Sequence, residues 1–331
     1  MKRRFACTLA LCAALSHQLQ AQRSELLLEK GWRFTRQDQA SFSTPDYNDS
    51  KWSRVTVPHD WAIYGPFSFE NDKQHLAIAQ DGQKEAMEHA GRTGGLPFVG
   101  VGWYRRSLDI PQDLGDRRVF LRFDGAMSHA RVYVNGKEVG YWPYGYNTFA
   151  FDVTPYVRPG ASNTLAVRLE NKHESSRWYP GAGLYRNVHL TITSPTYIPL
   201  WGTRIQTPSV SSEHAHVSVE TKVAGLSRLA GRPLSIKTTI FSPEGKVIAE
   251  RSEELMTKGT ASDSIYRTGF DISAPLLWDI NQPHLYKYAV TLSDGGQVLD
   301  RDTTTFGIRS IELKAGEGFF LNGRKLKFQG A

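Results

Sequence analysis

The sequence predicts an all-β protein made of two successive antiparallel sandwiches. Three observations carry that expectation. Short runs of alternating apolar and polar residues follow one another from Ser24 onward, Asn-Gly pairs mark tight hairpins, and helical periodicity is scarce. A length of 331 residues suits two domains better than one.

Residues 1–21 stand apart from the fold. Lys2, Arg3 and Arg4 form a positive start, Phe5 to Leu15 an apolar run, and Ala21 a small residue suited to cleavage. This reads as a secretory signal peptide, with an apolar run too short to span a bilayer. Leu11 is too bulky for the position before a lipidated cysteine, which argues against anchoring at Cys12. The protein is therefore expected to be exported, to the periplasm or the extracellular space, with no membrane span.

Removing that segment changes two further readings. Three of the 40 basic residues leave and no acidic one does, so 37 against 33 gives +4 in place of +7. Lys and Arg do not cluster, and no nucleic-acid partner is expected. Cys7 and Cys12 both leave, so the remaining chain has no thiol for a disulfide, a metal or a nucleophile.

In chain order, Val55 and Val57 lead into Pro58-His59-Asp60, Trp103 to Ile110 alternates, and Arg118 to Phe123 reads as a strand. Ala130 to Val134 and Lys137 to Tyr141 flank Asn135-Gly136, the pair that tolerates the positive φ angles of a type I′ turn. Asn163 to Leu169 and Asn187 to Thr193 complete a first unit ending in Thr193-Ser194-Pro195-Thr196. Residues 70–97 interrupt the pattern with a polar loop too long for a hairpin, a length more often functional than accidental.

The second unit starts near Ile198. Ala215, Val217, Val219, Thr221 and Val223 face one way there, and His214, His216, Ser218, Glu220 and Lys222 the other. Strands are expected at Leu234 to Phe241, Lys246 to Arg251, Ile265 to Ile272, Leu285 to Leu292 and Val298 to Phe306. About seven strands in about 110 residues is the size of an immunoglobulin-like sandwich. Asn322-Gly323 then marks another hairpin, running into a new strand with no partner expected after it.

Several motifs occur together: Val57-Pro58-His59-Asp60-Trp61, Gly102-Trp103-Tyr104-Arg105, Val134-Asn135-Gly136, Ser176-Arg177-Trp178-Tyr179-Pro180-Gly181-Ala182-Gly183-Leu184-Tyr185-Arg186, Pro283-His284-Leu285-Tyr286 and Phe306-Gly307-Ile308-Arg309. In this order they resemble glycoside hydrolase family 2, in its β-galactosidase branch, over essentially all of residues 24–331. The resemblance implies a jelly-roll-like, galactose-binding-type β-sandwich over 22–195 and an immunoglobulin-like β-sandwich over 196–310. Residues 311–331 would be the first hairpin of a TIM barrel. In the family that barrel holds an acid/base and a nucleophilic glutamate, whose carboxyls a retaining mechanism needs about 5–5.5 Å apart. No residue here matches either one, so no catalytic residue is assigned and the chain alone is expected to be inactive. The implied partners are a β-galactoside-containing oligo- or polysaccharide and, in a full-length enzyme, its own barrel; a homo-oligomer also fits the family. Family relatives bind Mg²⁺ or Na⁺ mainly through the barrel, and no cofactor or metal is expected here.

The resemblance also implies that loops of the first domain line the sugar pocket. Arg177 and Trp178 are candidate substrate-binding residues, an Arg offering several donors to hydroxyls and a Trp an apolar face. Relatives carry a sugar-contacting Asp near this point, where this chain has Arg177. The alternative reading has Trp178 and Arg186 holding the loop onto the sandwich. Asn71, at the start of the long loop, is the third candidate; otherwise it is a solvated turn residue. Glu70 and Asp72 alternate on an extended segment and have no acid/base role without a barrel. His214 and His216 point the same way on a strand but lack a third ligand, and His59 reads as a structural hydrogen-bonder. Rival readings are a free-standing carbohydrate-binding protein, a structural protein, and a β-glucuronidase or β-mannosidase relative.

Overall fold

Asn135 and Gly136 both take positive φ, 52° and 82°, and form the tight turn expected of the pair. Around it Ala130–Val134 pairs with Lys137–Trp142. The computed structural model describes residues 23–71, 74–75, 84–85, 88–89, 98–172, 181–229, 231–257 and 263–330. The expected signal peptide, Asp72, most of the loop to 97, and the candidates Arg177 and Trp178 lie outside the described residues.

The chain divides into two units. Ser24–Ile192 forms one, and Thr193 onward, joined by Arg23, forms the other. Two sheets build the first unit. Four strands lie in the order Ser24–Leu27, Val188–Thr193, Arg118–Phe123 and Phe149–Asp152. Six lie in the order Ser53–Val55, Trp32–Thr35, Gly100–Asp109, Ser162–Asn171, Ala130–Val134 and Lys137–Trp142. Inward side chains such as Trp32, Tyr104, Leu121, Phe123, Leu165 and Leu184 make one continuous core. Within residues 70–97, Gln74–His75 and Glu88–His89 pair as two short antiparallel strands, so that segment is not wholly a loop.

The Gly100–Asp109 strand departs from simple alternation, because Trp103, Tyr104 and Arg105 are all buried in succession. Tyr104 faces the main core, and Trp103 joins a second cluster with Phe42 and Trp52 on the opposite face. The segment carrying Phe42 and Trp52 covers that face and satisfies Arg105. The guanidinium donates to the carbonyls of Phe42 and Thr44 and to Asp49 Oδ2 at 3.0 Å. A buried arginine needs such partners, since an unpaired one would cost several kcal/mol (roughly 3–5).

The second unit is a sandwich of three and four strands. Thr203–Val210, His214–Ala224 and Asp263–Ser273 form one sheet; Val247–Met256, Pro233–Phe241, Tyr286–Asp294 and Gln297–Phe306 form the other. Ala215, Val217, Val219, Thr221 and Val223 are buried, while His214 and Lys222 are exposed, as the alternation predicts.

In the final segment the expected Asn-Gly hairpin forms: Gly318–Leu321 pairs with Arg324–Leu326 and also with Ile311–Lys314. Asn322 and Gly323, at φ 51° and 74°, close that hairpin. Asn322 Nδ2 donates to Trp278 O at 3.0 Å, and Arg324 pairs with Asp279 at 2.9 Å. No helix among the described residues is long and apolar enough to cross a membrane.

Candidate functional site

Four segments of the first unit are tied together: 58–62, 125–129, 144–147 and 181–186. Gly183 is the hinge pin of the group. Its N–H donates to Met127 O and its carbonyl accepts from Met127 N, both at 2.9 Å. Its φ is +94°, and a Cβ there would lie 2.3 Å from Tyr104 Oη and 2.6 Å from His59 O. Only glycine fits that space and that angle.

Asp60 joins two of these segments. Its Oδ1 accepts from Ala62 N at 2.9 Å and its Oδ2 from Ala182 N at 3.2 Å. The motif's tryptophan, Trp61, stacks on Phe34 at 5.6 Å. Its ring presses so closely on Gly102 that a Cβ there would come within 2.4 Å. Thus the Val-Pro-His-Asp-Trp and Gly-Trp-Tyr-Arg motifs are halves of one contact.

His59 is half-buried beside this contact. Its Nδ1 lies 2.7 Å from the buried Tyr104 hydroxyl, and its N–H donates to Leu184 O at 2.8 Å. Burial pushes its pKa below the ordinary value, the nearby Arg36 charge adds to this, and Asp60 opposes it. A neutral ring bonded to a buried tyrosine performs a structural task. The Tyr104 hydroxyl is correspondingly pushed well above its usual range by burial.

Arg177 and Trp178 lie outside the described residues; on either side of them, Asn171 Nδ2 donates to Gly181 O at 3.0 Å. Arg186, beyond it, is exposed; its Nη1 donates to Asp124 O and Tyr146 O, each at 3.4 Å. Asn71 is half-buried, with its N–H given to Ser68 O and its Nδ2 to Pro66 O, both at 3.0 Å. One of its two amide donors therefore closes its own turn. The segment before it exposes Ile63, Tyr64, Phe67 and Phe69. Glu70 is exposed as well.

Ser128 and His129 are adjacent and 3.0 Å apart, but Ser128 Oγ gives its hydrogen to Glu170 O at 2.8 Å. That removes the nucleophile from any Ser-His reading. In the second unit His216 Nδ1 meets the exposed Asp271 at 2.7 Å, and His214 faces outward. No group of three metal-ligating residues occurs among the described residues. Sequence reasoning missed Tyr144 and Tyr146, whose signal was the aromatic density of Tyr141-Trp142-Pro143-Tyr144-Gly145-Tyr146, while Tyr185 stands in the motif that ends at Arg186.

Comparison with known proteins matches this arrangement. The model of the sugar binding domain of glycosyl hydrolases family 2 matches residues 27–194, and a second model of that family matches residues 198–309. Beta-galactosidase BoGH2A of Bacteroides ovatus is 34% identical over 97% of this chain and 36% of its own length. A putative beta-glucuronidase of Formosa agariphila is 33% identical over 98% of this chain and 29% of its own. The chain thus spans about a third of the length of these curated relatives. Among solved structures, a family 2 member from Bacteroides cellulosilyticus superposes with a TM-score of 0.81 at 30% identity, covering 92% of this chain and 37% of that one. A Bacteroides uniformis beta-glucuronidase gives 0.76 at 27% identity, covering 93% and 35%.

Proposed function

Because this chain belongs to glycosyl hydrolases family 2, we propose that it forms the N-terminal, sugar-binding part of an exported glycosidase acting on β-galactosides. The observation that carries the reading is the match of the family's sugar binding domain model to residues 27–194, whose motifs Asp60 and Gly183 tie together. Asn71, Arg177 and Trp178 are the proposed substrate contacts. The domain limits follow the sequence reading, 22–195 and 196–310, with residues 1–21 removed on export. Hydrolysis itself is assigned to a barrel carried by further sequence, where two carboxyls would flank the scissile bond.

β-Glucuronides are the second reading, favoured by the Formosa agariphila relative, which is as similar as the galactosidase. Release of the chromophore from aryl β-galactoside and aryl β-glucuronide by the longer protein separates the two. Faster turnover of the glucuronide overturns the first reading. The 331-residue chain alone is expected to release neither, and turnover by it would overturn the division of labour proposed here.

A further inference from the structure

Tyr144 and Tyr146 are exposed, at 56% and 37%, and their rings meet at 5.5 Å with a 58° tilt. Two large rings held in water side by side present apolar faces with polar tips. They are also fixed in place. Gly145 between them is buried, and a Cβ on it would lie 2.3 Å from Met127 Sδ. Its carbonyl accepts from Tyr185 Oη at 2.8 Å. Arg186 lies over the Tyr185 ring at 5.4 Å and is tethered by one Nη to Asp124 O and Tyr146 O. Both bonds come from Nη1 of an exposed side chain whose guanidinium carries five N–H donors in all.

We propose that Tyr144, Tyr146 and Arg186 form an accessory glycan subsite, where a pyranose ring of a neutral galactose-containing oligosaccharide stacks on the tyrosines and gives hydroxyls to the arginine. The assignment rests on the sugar-binding reading of this unit and adds three residues to it. Tyrosine suits such a ligand better than leucine or isoleucine would. It offers broad contact at low entropic cost while its hydroxyl keeps a polar partner for the ring substituents. The tilt makes a corner rather than a flat apolar patch, which fits one ring bearing hydroxyls at its rim. Tyr185 and Gly183 tie this corner to the 181–186 segment.

The test is calorimetric titration of the 331-residue chain with β-1,4-galactotriose. The expected result is saturable binding near about 1 mM, weakened roughly tenfold or more by Tyr144→Ala with Tyr146→Ala. Tyr144→Phe with Tyr146→Phe should stay within about threefold, since the ring faces survive. Near-ultraviolet circular dichroism checks folding. Should the double alanine variant not fold, Tyr144→Ala alone gives the same reading. Equal binding by the parent and the alanine variants overturns the subsite, and so does absence of binding by the parent up to about 20 mM. Neither result touches the hydrolase reading, which stands or falls on the aryl glycosides.

Discussion

Arg23 and Asp300 form a two-point ion pair, with Arg23 Nε 3.0 Å from Oδ1 and Nη2 2.9 Å from Oδ2. Asp300 is fully buried and also accepts from the backbone N–H of Ile198 at 2.7 Å and of Arg301 at 2.9 Å. The first described residue of the chain thus completes the second unit. Arg23→Ala should lower stability by about 2–4 kcal/mol, because it leaves a buried carboxylate without its cation. Urea unfolding followed by tryptophan fluorescence measures this. Arg23→Lys, which keeps charge but loses the fork, should fall between the two. No change in midpoint would mean the pair contributes nothing.

Gly183→Ala should be among the most damaging small substitutions. The added methyl would meet Tyr104 Oη at 2.3 Å and His59 O at 2.6 Å, on a backbone at φ +94°. A loss of about 3 kcal/mol or more is expected. Thermal unfolding reads it, and an unshifted transition would show that the segment can move aside.

Asp60→Ala removes the acceptor for Ala62 N and Ala182 N. The cost should be about 1–3 kcal/mol, from two backbone donors left without that partner. Hydrogen exchange at those two amides should speed up while the Trp32–Thr35 strand stays protected. Uniform change across the unit would point to global rather than local loosening.

Stability should depend on pH through two histidines. Burial holds His59 below 6.5, and burial with the Lys172 charge does the same to His129. Below pH about 6.5 the unfolded chain binds protons that the folded one refuses, so stability rises with pH. The contribution is complete above the unfolded value and is lost as pH falls toward the lowered folded values. Asp38, held low mainly by its hydrogen bond from Arg168, adds a separate loss at pH below 3.8. Urea midpoints should drop between about pH 7.5 and about pH 5.5, and His59→Gln should flatten that slope. An equal slope in the variant would exclude His59 as the source.

Local chemistry made much of the fold legible. Asn135-Gly136 and Asn322-Gly323 announced their hairpins because few other residue pairs accept two successive positive φ angles. The alternation from Ala215 to Val223 announced a half-buried strand. Trp103 and Arg105 misled a period-two reading, since the cover over their face comes from residues more than 50 positions earlier. The candidate site was less legible for the same reason. Asp60 reaches Ala182 across 122 positions, and no local pattern encodes that bond. Tyr144 and Tyr146 were visible as aromatic residues, but their exposure depends on Gly145 being drawn inward by Met127 and Tyr185.

The bond from Asp60 to Ala182 also bears on the order in which the first unit can form. Its partners lie 122 positions apart, so the chain must be nearly complete through Ile192 before the Val-Pro-His-Asp-Trp motif can settle. Contacts of such wide sequence separation are the slow step of β topologies. A chain that has emerged only as far as residue 181 cannot make this one.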